Sequence, residues 1–554
     1  MSRVEGIFPG IYSILRYKKE FLRGDINSGL TVAVLLVPQA MAYAMLAGLP
    51  PITGLYASTF PLFVYAFFGS SRQLAVGPVA IVSIIVFSSL SEVTTPGSPD
   101  YINLARLLAL MVGCIQIVLW FFRLGFIVNF FSHAVISGFT SAAALIIGFS
   151  QIKHLFGIKL PSTHSIFHLI HELFGKISET NIHSLLIGLS AVGVIFFFKR
   201  KFPFFPASLF VVVLGVMVVY FFKLHDRGVQ IVGDVPRGVP GLNIPNLYDF
   251  ALIKSLLPPA LTIVFVGFME SIAIAKKMAA REKYHINPDY EFRGLAFSNI
   301  VSGLFSGYPV TGGFSRTAVN YEAGAKTVLS SVITSIMIIL VLLFLTPLFY
   351  YLPKSVLASI ILVAVAGLVD VKDFKNLIKL DKKDGFLLLF TFVLTLGFGI
   401  ETGIISGVIL SLLFFIWESA HPHIAEVGYW EEEGVLKNVK YYDDVKTRDD
   451  VLVIRIDRSI YFANIGFIES YINKAIKDKG EVKSIILDFS AVNDIDGTAI
   501  IELDEMIDNY YKRNISVMLA NVKTPLKAML NKKVWQHEMD YELTTKNIAQ
   551  ILKG

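Results

Sequence analysis

Apolar runs long enough to cross a bilayer as a helix, about 17 to 25 residues, recur near 26–46, 51–69, 103–122, 128–150, 184–198, 205–222, 256–275, 328–350 and 386–418. Four shorter apolar stretches lie between them. Residues 78–90 and 314–321 suffice for half a crossing each, 294–305 is interrupted by small residues, and 354–368 is brief. The run 386–418 holds two helices hinged near Gly399 and Gly403, which brings the expectation to about fourteen crossings. Beyond residue 421 the pattern changes. His421-Pro422-His423 ends the last span, and Glu431–Glu433, Asp443, Asp444, Asp449 and Asp450 belong in water. Strand patterns at Val451–Ile456, Ser484–Ser490 and Val517–Ala520 alternate with a helix at Ile465–Ala475 and another capped by Asp496, with Ile500, Leu503 and Ile507 on one face. The pattern predicts a polytopic helical membrane region followed by a small soluble α/β domain.

Composition agrees: 54% hydrophobic residues, 17% charged residues and a mean hydropathy of +0.63 exclude an ordinary soluble globular protein. The net charge of +6 does not signal nucleic acid, because the lysines and arginines gather beside apolar segments, where they set topology. Arg16, Lys18, Lys19 and Arg23 precede the first span. With fourteen crossings, Lys199–Lys201, then Lys276, Lys277, Arg281 and Lys283, then Lys372, Lys375, Lys379, Lys382 and Lys383 fall on that same side. Both termini are therefore expected in the cytoplasm, with the Lys- and Arg-free loop 91–102 outside; loops 151–181 and 222–254 fit less well. No cleaved signal peptide is expected at Met1–Lys19. The single cysteine, Cys114, excludes an internal disulfide and is expected to pack in its apolar stretch.

Residues 302–322 interrupt this apolar chain with four glycines and a proline. Irregular backbone at membrane depth survives only where it is packed in protein or lines a cavity, so the stretch is a candidate site. If a helix restarts after Gly312-Gly313, its first turn of Phe314, Ser315 and Arg316 offers free N–H groups, a positive dipole end and a guanidinium, all of which favour an anion. No Gly-Lys-Ser or Gly-Lys-Thr follows, so the stretch is not a nucleotide P-loop. Glu270, in the middle of its span, is a second candidate, because intramembrane carboxylates mark ion or proton pathways unless paired; Arg316 is the available partner. His164, His168 and His171 share a helical face, read as solvated rather than zinc-binding, and no metal or other cofactor is expected. No hydrolytic or redox constellation appears, so the chain is not read as an enzyme.

The chain also repeats itself. Gly29–Ala44 aligns without gaps on Ala260–Ala275, placing Gln39 on Glu270, and Gly77–Val82 falls on Gly312–Thr317, pairing the two half-spans. Two related halves of seven spans each must be inverted, and paired interrupted segments in inverted halves point to a transporter's midplane site.

These motifs, in this order, resemble the SulP family of sulfate permeases and related anion transporters, whose members carry a C-terminal STAS domain. The resemblance rests on Val37-Pro-Gln39-Ala-Met-Ala-Tyr43-Ala, Pro51-Ile-Thr-Gly54-Leu-Tyr56, Glu270–Lys276 and Gly312–Asn320, and runs nearly end to end. It implies fourteen spans in two inverted seven-helix repeats forming a core and a gate domain, and a homodimer. The expected organisation is a cytoplasmic N-terminus at 1–24, a transmembrane domain at 25–421 and a cytoplasmic STAS domain at 425–554, in the plasma (cell inner) membrane. The resemblance places the anion between half-helices starting near Val79-Ala80 and Phe314-Ser315-Arg316, with Gln39 supplying an amide and Tyr43 an aromatic wall. Gln39 reads equally as an interhelical hydrogen bond and Tyr43 as helix packing. The resemblance implies that an acidic residue at the position of Glu270 is associated with cation coupling, and bacterial sulfate-type members with glutamate there look like proton symporters. The expected function is proton-coupled sulfate symport by alternating access. Sodium-coupled bicarbonate transport, proton-coupled dicarboxylate transport, a passive anion channel and a membrane sensor with a STAS-domain protein partner stand as alternatives. In the STAS region, Asp494-Ile-Asp496-Gly497-Thr498 resembles a loop phosphorylated on serine in related proteins, but Gly497 holds the acceptor position, with Thr498 beside it.

Overall fold

The computed structural model describes residues 9–553 apart from 11–13, 15–16, 131, 159–171, 173–174, 203–204, 246–249, 370 and 531–542; His164, His168 and His171 lie outside the described residues. The chain divides into two compact units, Met1–Ser411 and Leu412–Gly554.

The first unit is helical. In chain order it contains α1 (Leu22–Leu46), α2 (Pro51–Tyr56), α3 (Phe60–Phe68), β1 (Val76–Gly77), α4 (Ala80–Ser91), α5 (Pro99–Phe121), α6 (His133–Phe156), α7 (Ile182–Lys201) and α8 (Ala207–Phe221). The second half follows with α9 (Phe250–Arg281), α10 (Pro288–Leu304), β2 (Thr311–Gly312), α11 (Phe314–Glu322), α12 (Leu329–Leu340), α13 (Lys354–Ala366), α14 (Val371–Leu380), α15 (Lys382–Phe398) and α16 (Ile400–Ala420), the last of which continues past Ser411 into the second unit. Taking α2 and α3 as one broken span and α14 as a connecting amphipathic helix, fourteen crossing segments lie among the described residues, seven in each half. The half-spans are α4 and α11. The hinge in the last apolar run sits at Gly399, whose φ of 92° only glycine adopts without strain.

Three details depart from the sequence pattern. The apolar run 51–69 is broken at Ala57–Thr59, where Ser58 and Thr59 turn their hydroxyls back onto the carbonyls of Gly54 and Tyr56. The run 328–350 leaves α-geometry at Val341 and continues as a π turn and a 3₁₀ turn to Phe349, relaxed around Pro347. Cys114 is exposed on α5 rather than packed inside; apolar neighbours in sequence do not distinguish a lipid-facing position from a core one.

Packing sorts the helices into two groups. One group of extensive contacts joins α10 to α5 and α3, and α12 to α1; a second joins α6 to α15 and α13, and α7 to α13. Close approach is made possible by small residues. Gly54 of α2 lies so near the Ala40 carbonyl of α1 that an added methyl would overlap it. Gly54→Ala is therefore expected to destabilise the fold by about 1–3 kcal/mol, seen as a lower thermal midpoint in detergent; an unchanged midpoint would show that the α1–α2 contact can open at no cost.

Two buried carboxylates tie down the loops that hold the half-helices. Asp25 accepts hydrogen bonds from the N–H groups of Lys326 (2.7 Å) and Thr327 (3.1 Å) and from the Thr327 hydroxyl (2.6 Å), just beyond α11. Glu291 accepts from Tyr65 Oη (2.6 Å), from Ser70 N and Oγ (2.8 and 2.6 Å) and from Ser71 N (3.0 Å), just before β1. A carboxylate with several donors offsets the desolvation that burial imposes on it.

The second unit contains β3 (Ile424–Trp430), β4 (Val435–Asn438), β5 (Val451–Ile456), α17 (Ile465–Lys479), β6 (Ser484–Asp488), α18 (Gly497–Lys512), β7 (Ser516–Ala520), α19 (Thr524–Leu530) and α20 (Thr545–Lys553). Its five-stranded sheet has the order β4-β3-β5-β6-β7, with β5, β6 and β7 parallel and β3 antiparallel to both its neighbours. The period of two along β5 feeds two cores: Leu452, Ile454 and Ile456 join α17 and α18, whereas Val451 and Val453 join α20. Asp496 caps α18 by accepting from Ala499 N (2.8 Å) and leaves Gly497 and Thr498 exposed.

Candidate functional site

The broken backbone of both halves meets at one place. β1 and β2 pair antiparallel, Val76 with Gly312 and Gly77 with Thr311. The offset that carries Val76 onto Thr311 also carries Gly77 onto Gly312, so the repeat exchanges the two pairs and the ladder lies on its pseudo-twofold axis. This pairing satisfies backbone that no helix serves. Side chains satisfy more of it. Asn299 holds both polar groups of Val310 (2.8 and 3.0 Å), Ser271 Oγ accepts from Gly312 N (2.8 Å), and Thr317 Oγ1 accepts from Ala75 N (3.1 Å).

From this ladder α4 and α11 start in opposite halves, with Val79 and Gly313 as their N-cap residues in extended conformation and no side-chain cap on either helix. Both therefore present uncapped N-terminal turns, each carrying about half a positive charge. Helices α1 and α9 pack against both half-helices. Val79 and Ala80 are buried at the first helix end. At the second, Phe314 and Ser315 are exposed and Arg316 is 2% exposed.

Arg316 links the halves. Its Nη1 donates to the carbonyl of Pro78, 2.6 Å away and next to the start of α4, while its Nε and Nη2 are buried without a hydrogen-bond partner among the described residues. No hydrogen bond joins it to Glu270 among the described residues, although Glu270, Tyr43 and Tyr308 all lie within its electrostatic reach. Glu270 is half-buried, and its Oε2 has no hydrogen-bond partner among the described residues. Gln39 is buried with its Oε1 likewise unpartnered, so the described residues give that oxygen no interhelical hydrogen bond. Tyr43 is buried in the core around α1 and lies close enough to Arg316 and Glu270 to feel both charges. The structure thus gathers Tyr43, Glu270 and Arg316 around two helix ends that also carry Val79, Ala80, Phe314 and Ser315, with Gln39 one turn before Tyr43 on α1.

Several contributors escaped the sequence pattern. Tyr308 hydrogen-bonds Ser83 of α4 (3.0 Å), and Ser271 and Thr311 bond one another (2.7 Å) beneath Glu270. A helical spacing was the available signal for another: Glu270, Ala273, Lys276, Lys277, Ala280 and Arg281 form the accessible stripe of the otherwise buried half of α9. Lys277 lies 5.0 Å from the Phe314 ring and Arg281 5.7 Å from that of Tyr321. The stripe links Glu270 to the basic end of α9.

Comparison with known proteins places this arrangement. Residues 22–391 match the sulfate permease family and residues 442–547 match the STAS domain. The chain belongs to the sulfate permease family. Sulfate transporter 4.1, chloroplastic, of Arabidopsis thaliana is 40% identical to it over 538 residues, covering 94% of this chain and 78% of that protein. High affinity sulfate transporter 2 of Stylosanthes hamata is 34% identical, covering 93% and 81%. The structure of the murine Solute Carrier 26 family member A9 anion transporter shares the fold with a TM-score of 0.91 at 24% identity, covering 99% of this chain and 94% of that one. The transmembrane domain of the cyanobacterium bicarbonate transporter BicA matches 72% of this chain and 98% of its own with a TM-score of 0.62 at 24% identity. This family member is a multi-pass membrane protein and an anion transporter, with the inverted seven-helix repeats and C-terminal STAS domain of its fold.

In the transporter Gly313 makes room for the guanidinium: a Cβ there would lie 2.7 Å from both Cζ and Nη2 of Arg316. Gly313→Ala is expected to displace Arg316 and lower transport by about tenfold or more, the equivalent of 1–3 kcal/mol of overpacking. Initial uptake rates at equal amounts of folded protein check this, and a rate within twofold of the parent would show that the guanidinium has space to yield.

Proposed function

We propose that this family member is a secondary active transporter that carries sulfate together with protons by alternating access, the core bearing α4 and α11 moving against the gate. The observation that carries the reading is the pair of uncapped half-helix ends bridged by the buried, partly unpartnered Arg316. The relatives named as sulfate transporters, up to 41% identical, support sulfate as the anion. Electrostatics supports the proton. Two helix ends of about half a charge each and one guanidinium supply roughly two positive charges, which balance a sulfate dianion. An ionised Glu270 leaves the loaded core with an excess negative charge, and a protonated Glu270 leaves it close to neutral, the form that crosses low dielectric at least cost. Glu270 is thus the proton site, Gln39 and the N–H groups at Val79, Ala80, Phe314 and Ser315 hold oxyanion oxygens with Arg316, and Tyr43 walls the site.

In this reading residues 25–421 form the transport domain in the plasma membrane, residues 425–554 a STAS domain in the cytoplasm with both termini, and the working unit is a homodimer. The separation of helix contacts into one group around α1, α5 and α10 and another around α6, α13 and α15 supports a core and a gate.

Radiolabelled sulfate uptake by purified protein in liposomes, with and without an inward proton gradient and with excess bicarbonate or succinate as competitor, tests the reading. Gradient-stimulated uptake that resists both competitors is the expected result. Loss of uptake to one competitor reassigns the substrate to that anion. Uptake that follows voltage linearly and ignores pH replaces the transporter with a channel.

A further inference from the structure

Away from the half-helices, where the end of α5 meets the start of α10, lies a cavity of about 440 Å³ whose polar lining includes Arg123, Arg293, Asn287 and Asp289. Its apolar lining is aromatic: Trp120, Phe121 and Tyr290. The cavity is built rather than incidental. Arg293 is 4% exposed, with its guanidinium carbon 4.7 Å from the Tyr290 ring centroid and 5.6 Å from that of Trp120, so two aromatic faces fix its position. Arg123 has a φ of 55°, a left-handed conformation unfavourable for a side-chain-bearing residue, and this bend leads the chain to Gly125, which docks on α10. The Gly125 N–H donates to Asp289 Oδ1 at 3.1 Å, so that carboxylate is already engaged. Asn287 caps α10 by accepting from Asp289 N at 2.9 Å.

We propose that this cavity binds the phosphodiester headgroup of a membrane phospholipid. Arg293 is already engaged, its Nη2 donating to the Phe68 carbonyl at 3.3 Å with the Glu291 carboxylate in electrostatic reach, so Arg123 is the cation the pocket offers, and its one charge matches the single negative charge of a phosphodiester. Arginine forks suit phosphate oxygens, and aromatic rings belong at the headgroup level of a bilayer. The surface leading out of the pocket points the same way. Phe121 is 73% exposed and Phe122 64%, with Val118 exposed one turn earlier on α5, so an apolar strip runs from Arg123 along the lipid-facing side of the helix. A headgroup held at Arg123 lays its acyl chains on that strip; a free inorganic phosphate has no use for it. The engaged Asp289 offers little to a zwitterionic ammonium, so an anionic lipid is favoured. α5 is the fourth crossing, which puts the pocket at the cytoplasmic face in the proposed topology, on the α5–α10 contact of the core. The lipid is expected to stay with the core as that body moves. The site depends on the proposed orientation for its leaflet and not on the identity of the transported anion.

The test is native mass spectrometry of the full chain released from nanodiscs containing equal phosphatidylglycerol and phosphatidylcholine, with Arg123→Gln, Arg123→Lys and Lys223→Gln as variants and with millimolar inorganic phosphate as competitor. Expected is retention of one phosphatidylglycerol per chain, reduced about tenfold by Arg123→Gln, as the loss of a charge-assisted hydrogen bond predicts, partly restored in Arg123→Lys and unchanged in Lys223→Gln. Equal retention in parent and Arg123→Gln overturns the proposal. Displacement of the lipid by inorganic phosphate overturns the lipid assignment and makes the pocket a phosphate site. A sulfate-uptake result, positive or negative, moves neither outcome.

Discussion

Replacing Arg316 by glutamine is expected to lower sulfate uptake by about 30- to 5000-fold while the protein remains folded. The buried guanidinium donates to Pro78 across the repeat and keeps two nitrogens unpartnered among the described residues, so it serves both as the cation of the site and as the link between the two helix ends. Truncating one partner of a buried, hydrogen-bonded charge interaction costs roughly 2–5 kcal/mol, which gives the stated range. Arg316→Lys retains the charge but not the fork and is expected to recover only part of the loss, because a lysine cannot hold Pro78 and an oxyanion in one plane. Initial uptake rates across sulfate concentrations, with dispersity in detergent as the folding control, check the result. Uptake by Arg316→Gln within threefold of the parent would remove Arg316 from the site.

The second large effect concerns coupling. Glu270→Gln keeps shape and hydrogen-bonding capacity while fixing the side chain in a neutral form. With the charge balance proposed for the loaded core, the variant carries sulfate without waiting for a proton. Its uptake is expected to persist at a reduced rate, and stimulation by an inward proton gradient is expected to fall from several-fold in the parent to less than about twofold, since no titrating group is left beside the anion. The comparison is made at fixed membrane voltage, with internal pH monitored by a trapped dye. Equal stimulation of parent and variant would falsify the assignment of Glu270 as the proton site.

Much of this site is legible from one-dimensional signals because membrane depth makes irregular backbone and charge conspicuous. Four glycines and a proline in an apolar stretch mark the crossover at 302–322, and the repeat of Gly77–Val82 in Gly312–Thr317 pairs it with β1 without any geometry. Glu270 stands out for being a carboxylate in mid-span. What does not show in the sequence are contacts between distant residues whose types are ordinary. Asp25 looks like a helix-start acid, yet it closes on Thr327 from 302 residues away. Glu291 reads as a first-turn acid of α10, although its partners at Ser70 and Ser71 belong to the other repeat. The accessible face of α9 is equally hidden, because Ala273 is as apolar as its buried neighbours and only packing shows which side of a span is left uncovered. Cys114 fails for the same reason in the opposite direction.

The two-residue ladder between β1 and β2 carries one more consequence. Since the repeat exchanges Val76–Gly312 with Gly77–Thr311, interchanging the conformations of the two sevenfold halves returns the ladder to itself. A mirror-role conformer, with each half adopting the posture of its counterpart, leaves this crossing unaltered while everything farther from the axis rearranges. In the proposed cycle the ladder therefore travels with the core as an internally constant unit. Labels placed on it should report nearly constant separations throughout a turnover cycle, whereas labels toward the far ends of α4 and α11 should trade distances to the surrounding helices.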